Sequence, residues 1–384
     1  MKIVLLSNYF NHHQRPFSDA MFALIGKDYH FIETSLITEE RLKLGWGEKD
    51  KPSYVKQTFI DEESKKECQK IIDEADVVVY GSAPYGLLVN RLKAGKVVFK
   101  YSERIYKNGC PYYKLPWHFI LNTKNYRRYK NLYILCASAF TSADFAKTRT
   151  FINKAYKWGY FTEVKKYEKV EDVINSKAPN SILWVARFID WKHPECAIEI
   201  AKRLKANGYN FTLNMIGNGE LENKIVEMID KNNLSDCVHL LGSMKPNEVR
   251  EHMEKSEIFL FTSDKGEGWG AVLNESMNSA CAVVASHAIG SVPFLLKDGE
   301  NGLIYKDGDI DGLYSHVKRL INNESFRKEI SLKAYETMVT EWSPENAAKK
   351  LLNLFEQVLS GKKKPFPYKE GVCSKAERLK NNWK

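Results

Sequence analysis

The chain has 384 residues, 43% of them hydrophobic and 28% charged, and a formal net charge of +10. That length asks for two cores rather than one, and the composition excludes disordered and fibrous classes. No apolar run reaches the roughly 18–20 residues of a membrane-spanning helix, and the seven scattered cysteines lack any Cys-x-x-Cys pair, which fits reduced thiols in a cytoplasmic protein.

The apolar start Met1–Leu6 is cut short by Ser7 and Asn8, too early for a signal-peptide core, so it reads as a first buried strand. The loop after it, Asn8 to Gln14, carries His12 and His13 and is expected to line a ligand site at the strand's carboxyl end. Adjacent histidines without a nearby Cys or carboxylate are poor metal ligands. A helical stretch near Phe17–Ile25 follows, then β-branched runs at Asp76–Tyr80, Lys96–Tyr101 and Leu132–Ala137. Such runs, spaced by helical segments, predict a mostly parallel sheet. Glu103 and Arg104 come directly after a strand and are expected at the ligand edge, either against a substrate or as a surface ion pair.

The positive charge is concentrated. Residues 101–150 hold nine Lys/Arg against two acids, and the tail from Gly361 to Lys384 holds eight against two. Residues 100–133 interleave these cations with Tyr106, Tyr112, Tyr113, Trp117, Phe119, Tyr126 and Tyr129. That mixture suits an anionic membrane surface, and equally a solvated helix face. No nucleic-acid recognition motif accompanies it, so no nucleic-acid partner is expected.

Residues 154–176 are polar and read as the interdomain connection. A second strand–helix series begins at Ser181, with strands at Ser181–Ala186, Phe211–Ile216, Val238–Leu241, Ile258–Phe261 and Ala282–Ala285 and a helix at Pro194–Ala206. The expected layout is two α/β domains, residues 1–165 and 166–345. Residues 346–384 form a helix and a basic tail that return to the first domain.

The chemistry concentrates in Ser263–Ala285. A strand end leads into Gly266-Glu267-Gly268-Trp269-Gly270-Ala271, and a helix starts near Val272. Glycines let backbone amides approach a ligand, and a helix start favours an anion such as a diphosphate. Glu275, early in that helix, is placed to read a ribose diol, and Glu267 is free to point into the site. Arg187, directly after a strand, and Lys192 supply cations at the same edge. Asp307, Asp309 and Asp311 spell an Asp-x-Asp pattern, which fits a helix cap better than a metal site here.

This stretch resembles the retaining glycosyltransferases of family 4 (glycosyl transferases group 1), which have the GT-B fold of two Rossmann-like doubly wound domains facing across a cleft. Glu267-Gly268-Trp269-Gly270, Glu275 and Val283-Val284-Ala285 are similar to the family's Glu-Gly-Phe-Gly loop, second Glu and Val-Val-Ala. Val185-Ala186-Arg187-Phe188 with Lys192, Ile216-Gly217-Asn218-Gly219 and Asp298-Gly299-Glu300-Asn301-Gly302-Leu303 extend the resemblance, with Ala186 where the family has Gly and Phe294 where it often has Glu. The resemblance implies that Arg187 and Lys192 bind the donor diphosphate, Glu275 the ribose and Glu267 the transferred sugar, with Gly217, Asn218, Gly268, Trp269, Gly270 and Ala271 around the donor. It implies a nucleotide diphosphate sugar as donor, uridine diphosphate by family frequency, and neither metal nor other cofactor. The expected acceptor is a glycan or lipid-linked precursor of a cell-surface glycan, met at the inner face of the membrane. A nucleotide-sugar 2-epimerase of the same fold and a catalytically silent membrane-bound scaffold are the alternatives.

Overall fold

A computed structural model describes the whole chain except residues 40, 41, 43–46, 48, 49, 363 and 364. The described residues fall into two compact units. The first comprises Met1–Glu163 and Trp342–Lys380, the second Val164–Glu341 and Asn381–Lys384.

The first unit is built on a parallel sheet of seven strands among the described residues, in the order β3-β2-β1-β4-β5-β6-β7. These are β1 (Ile3–Ser7), β2 (Tyr29–Glu33), β3 (Val55–Gln57), β4 (Val77–Tyr80), β5 (Val97–Ser102), β6 (Leu132–Cys136) and β7 (Ala155–Lys157). The central strands β1 and β4 are buried at every position. They are covered on both faces, which is why they read as unbroken apolar runs rather than as alternating patterns. The order reverses between β1 and β4, so loops leaving these neighbours diverge and leave a crevice at their carboxyl ends.

Three of these strands escape the apolar pattern. β2 and β3 carry His30, Glu33, Lys56 and Gln57. The chain passes from the first unit to the second inside the polar stretch 154–176, between Glu163 and Val164, but β7 occupies the start of that stretch, which is therefore not all connection. Ala155 and Tyr156 are buried, as are Trp158 and Phe161 just beyond. Aromatic rings, not aliphatic runs, carry this segment into the core. The edge of β7 is covered by the chain's own tail. The Lys157 amide donates to Ser374 O at 2.7 Å, and the amides of Cys373 and Ala376 donate to Lys157 O and Ala155 O at 2.9 and 3.0 Å. The otherwise open edge is thereby protected from pairing elsewhere. The helix Pro344–Leu359 starts where Ser343 Oγ accepts from the Asn346 amide, and its Phe355 ring meets Phe99 of β5 at 4.9 Å.

The second unit carries a parallel sheet ordered β10-β9-β8-β11-β12-β13. Its strands are β8 (Ala178–Val185), β9 (Thr212–Ile216), β10 (Val238–Leu240), β11 (Ser256–Phe261), β12 (Ala282–Ser286) and β13 (Leu303–Tyr305). The helix Pro194–Ala206 lays Ala197, Ile198, Ala201 and Leu204 against Trp184, Leu213 and Met215 in one core. Both units are doubly wound α/β layers, as the alternating pattern predicts.

Candidate active site

In the second unit, the loops leaving β8, β9, β11 and β12 share one edge of the sheet because those strands are parallel. The loop after β8 and the turn after β9 are stapled together through their backbones. The Phe188 amide donates to Asn218 O at 2.7 Å, the Leu221 amide to Phe188 O at 2.9 Å, and the Ala186 amide to Ile216 O at 3.1 Å. Gly217 takes φ +137° there, and a Cβ on it would run into the Ala186 carbonyl. Only glycine permits this approach. Phe188 is fully buried and anchors the loop, which leaves Arg187 exposed beside the turn. Asn218 is exposed on the same turn.

Lys192 ends the short turn Asp190–Lys192. Its ammonium pairs with the Glu267 carboxylate and sits 4.3 Å from the centre of the Trp191 ring. The backbone holds both partners. Thr262 Oγ1 donates to Lys192 O at 2.7 Å and accepts from the Trp184 indole at 2.8 Å. The Asp264 amide donates to Trp191 O at 3.1 Å, and the Gly266 amide to Asp264 Oδ1 at 2.6 Å. Glu267 also accepts from Ser263 Oγ at 3.3 Å, while its carbonyl accepts from the Gly290 amide at 3.3 Å and so ties in the loop after β12.

The glycine loop then turns at Gly270, whose φ is +82° and whose missing Cβ is required by the Phe261 ring. Ala271 stands at the entry of the helix Val272–Asn278. The Trp269 side chain is fully buried, with its indole donating to Asn274 Oδ1 at 2.9 Å. It is a core residue that braces the loop, so the expectation of Trp269 as a ligand contact is corrected for its side chain. Gly268 is buried in the same loop.

Glu275 lies in the fourth position of that helix and is half-buried. Withdrawal from water pushes its carboxyl up to about 7, and the positive charge of Arg250 offsets this only in part. Arg250 is a residue the sequence reading missed. Its guanidinium donates to Glu275 O at 3.2 Å, Asn278 Oδ1 at 2.9 Å and Ser279 Oγ at 3.1 Å, pinning the helix. It sits mid-helix in a charged stretch, and nothing in its neighbours marks it.

His193 was also missed. It follows Lys192 at φ +49°, its Nδ1 lies 2.9 Å from Glu195 Oε1, and its Nε2 lies 3.7 Å from Asp264 Oδ2. Glu195 raises its pKa. Among the described residues, His193, Glu195 and Cys196 offer ligating atoms within 4.8 Å of one another. Burial pushes the Cys196 thiol up to about 12, against the thiolate a metal prefers. Of the Asp-x-Asp residues, Asp309 caps the helix Ile310–Asn322 by accepting from the Gly312 amide at 2.9 Å, and Asp311 pairs with Arg203 at 2.6 Å.

In the first unit, the loop after β1 turns where Asn11 Oδ1 accepts from the His13 amide at 2.9 Å, and the His12 and His13 rings lie 3.9 Å apart. Burial, aided by the neighbouring His12, lowers His13 to about 3, so its ring is neutral. Buried Glu33 holds this loop, accepting from the Phe10 amide at 2.6 Å and pairing with Lys51. His13 stacks toward Tyr160 at 6.4 Å, and the Tyr160 hydroxyl donates to Glu103 at 2.7 Å. The loops after β1 and β5 thus meet through Tyr160. Glu103 also pairs with Lys107 at 3.0 Å. Arg104 departs from expectation. It is 5% exposed, lies 3.6 Å from the Asp144 carboxylate and covers the Phe140 ring at 4.8 Å. Asp144 also accepts from the amides of Ile105 and Tyr106, so Arg104 is part of a buried loop anchor rather than a substrate contact.

Residues 166–337 match the family described as Glycosyl transferases group 1. The amylovoran biosynthesis glycosyltransferase AmsK of Erwinia amylovora is 30% identical over 195 residues, covering 50% of this chain and 47% of that protein. The N-acetylgalactosamine-N,N'-diacetylbacillosaminyl-diphospho-undecaprenol 4-alpha-N-acetylgalactosaminyltransferase of Campylobacter jejuni is 31% identical over 153 residues, covering 40% of each chain. The chain thus spans less than half the length of these curated relatives. Among solved structures, Anabaena Alr3699/HepE in complex with UDP is similar with a TM-score of 0.67 over 94% of this chain and 100% of that one, at 13% identity. That likeness is one of fold, and it places the two Rossmann-like units in the GT-B class.

Proposed function

We propose that this chain is a metal-independent, retaining glycosyltransferase that takes a sugar from a nucleoside diphosphate donor, uridine diphosphate by preference, and builds a cell-surface glycan precursor. The observation that carries this reading is the joining of Arg187, Lys192 and Glu267 on one backbone-stapled edge. A departing nucleoside diphosphate gains negative charge as the glycosidic bond breaks. Fixed cations stabilise that charge most where they are held before it develops. Arg187 supplies an exposed fork for the diphosphate, and Lys192 is half-buried further along the same loop.

Glu267 belongs beside the transferred sugar, where positive charge builds up in the transition state. Its ion pair with Lys192 holds both side chains in place. Glu275 belongs to the ribose, whose two hydroxyls donate to a carboxylate. The first unit takes the acceptor, with Glu103, His13 and Tyr160 meeting at its sheet edge. The activities for which the relatives are named support a glycan acceptor, and the undecaprenol-linked substrate of the Campylobacter enzyme supports a lipid-linked one at a membrane surface.

The test is thermal unfolding of the full chain against a panel of nucleotides and nucleotide sugars. Uridine diphosphate and its sugars are expected to raise the Tm, nucleosides without the diphosphate far less. A panel with no stabilising diphosphate would contradict the proposal. Conversion of a donor to its 2-epimer without sugar release would mark the epimerase instead.

A further inference from the structure

The helix Leu115–Asn122 is built inside out. Its one buried residue is the polar Asn122, whose amide donates to Thr148 Oγ1 at 2.8 Å. Leu115 and Leu121 are half-buried, but Trp117, Phe119 and Ile120 lie outward, Trp117 62% and Ile120 59% exposed, and Tyr112 and Tyr113 just before the helix are 89% and 78% exposed. A helix of a soluble surface does the reverse. The turn Thr123–Arg127 continues it, and a shallow cavity of about 510 Å³ opens between them, with Phe119 and Ile120 as apolar lining and Lys124 and Arg128 as cationic lining.

The charge around this face is uncompensated. Residues 104–143 contain no Asp or Glu and seven Lys/Arg. Of these Arg104 is buried against Asp144 and Lys107 pairs with Glu103. Lys114, Lys124, Arg127 and Arg128 rest on aromatic rings or solvent, and no ion pair neutralises them among the described residues. Arg127 lies 4.4 Å over the Phe119 ring and Arg128 5.1 Å over Tyr129. The rings thus hold the guanidinium groups at the level of the exposed apolar side chains.

We infer that the face formed by residues 112–128 is an interfacial anchor that seats the first unit on an anionic lipid bilayer, with Trp117 and Ile120 at the acyl boundary and Lys124, Arg127 and Arg128 on lipid phosphates. The occupant must offer negative charge and an apolar layer at once. A second copy would bring the same positive face and be repelled. A nucleic acid would leave Ile120 and Trp117 against phosphate and water. An anionic bilayer supplies phosphate above and hydrocarbon below, and aromatic rings settle at that boundary. This inference stands independently of the transfer reading, because it uses none of the residues assigned to the donor.

The experiment is co-sedimentation of the full chain with phosphatidylcholine vesicles, with and without phosphatidylglycerol, across a salt series. Binding is expected to the anionic vesicles only, and to fall as salt screens charges beyond about 8–10 Å. The triple variant Lys124→Ser, Arg127→Ser, Arg128→Ser should lose at least about tenfold in affinity, because each cation near such a surface adds to the attraction. The pair Trp117→Ser, Ile120→Ser changes only exposed side chains and should also weaken binding about tenfold or more. Vesicles carrying brominated lipid should quench the parent's fluorescence more than that of Trp117→Phe. Donor hydrolysis and Tm should match the parent. Equal binding to neutral and anionic vesicles, parent-like binding by both variants, or a self-association that salt does not weaken would overturn the anchor. If the triple variant melts early, the exposed pair and the quenching comparison decide alone.

Discussion

The Lys192 ammonium rests on the Glu267 carboxylate with both side chains nearly withdrawn from water, 13% and 10% exposed. Two residues 75 positions apart in sequence are brought together because the loops after β8 and β11, neighbours in the sheet, are bonded backbone to backbone. Removing one partner leaves the other charge uncompensated, which costs more than removing both. Lys192→Met and Glu267→Gln should each destabilise the ligand-free protein by about 1–3 kcal/mol, discounted from the fully buried case for residual exposure. The double variant should lose clearly less than the sum. Urea unfolding of the four proteins measures this coupling, and strict additivity would show that the pair contributes nothing.

Arg187 differs because it is exposed and, among the described residues, braces no other side chain. Arg187→Ala should leave the Tm within about a degree, since exposed changes of this kind are close to neutral. The same variant should weaken uridine diphosphate binding by about ten- to a hundredfold, the value of one charge-assisted contact. Uridine itself should bind as before. Calorimetric titration of both ligands makes the comparison, and equal losses for both would move Arg187 away from the diphosphate.

Glu275 makes the site sensitive to pH. Its folded pKa, about 7, lies above the ordinary carboxylate value near 4.5. Between those values the native carboxyl holds a proton that the unfolded chain has released, so stability falls as pH rises from about 4.5 to 7 and then levels off. Glu275→Gln should therefore match the parent below pH 4.5 and exceed it at pH 8 by on the order of 3 kcal/mol. Nucleotide affinity should run the opposite way in the parent. It should tighten as pH rises through 7, because the ribose hydroxyls need an ionised acceptor, and the step should be absent in Glu275→Gln.

The acidic motif at Asp307–Asp311 is occupied structurally. Asp309→Ala should cost about 1 kcal/mol through the lost cap of Ile310–Asn322. Sugar transfer should be unchanged by EDTA. Loss with the chelator and recovery with magnesium or manganese would assign that loop, or the His193–Glu195–Cys196 group, a metal role.

The readable parts of the sequence were those in which backbone geometry restricts residue type. Gly217 and Gly270 sit where a side chain would strike the Ala186 carbonyl and the Phe261 ring, so their spacing carries the loop's shape. The central strand β4 is apolar at every position, and β11 from Ile258 onward, because both faces are covered. The strands β2, β3 and β7 were obscured by polar residues that tertiary partners satisfy, as Glu33 is satisfied by the Phe10 amide and Lys51. Arg104 was misplaced for a related reason. Its position after β5 indicates the ligand edge, but not that Asp144, forty residues on, closes over it. Trp269 lies in the expected loop, yet the direction of its ring depends on Asn274, which no loop pattern reveals.

The central claim, that Glu267 and Lys192 work on a breaking glycosidic bond, is tested most directly by steady-state release of sugar from a uridine diphosphate donor. The parent should show slow hydrolysis without acceptor and faster transfer with one. Glu267→Gln keeps the shape and removes the charge that stabilises the transition state more than the bound donor, so kcat should fall by at least about tenfold with little change in donor KM. Unchanged kcat in Glu267→Gln, or no sugar release from any donor by the parent, would contradict the account.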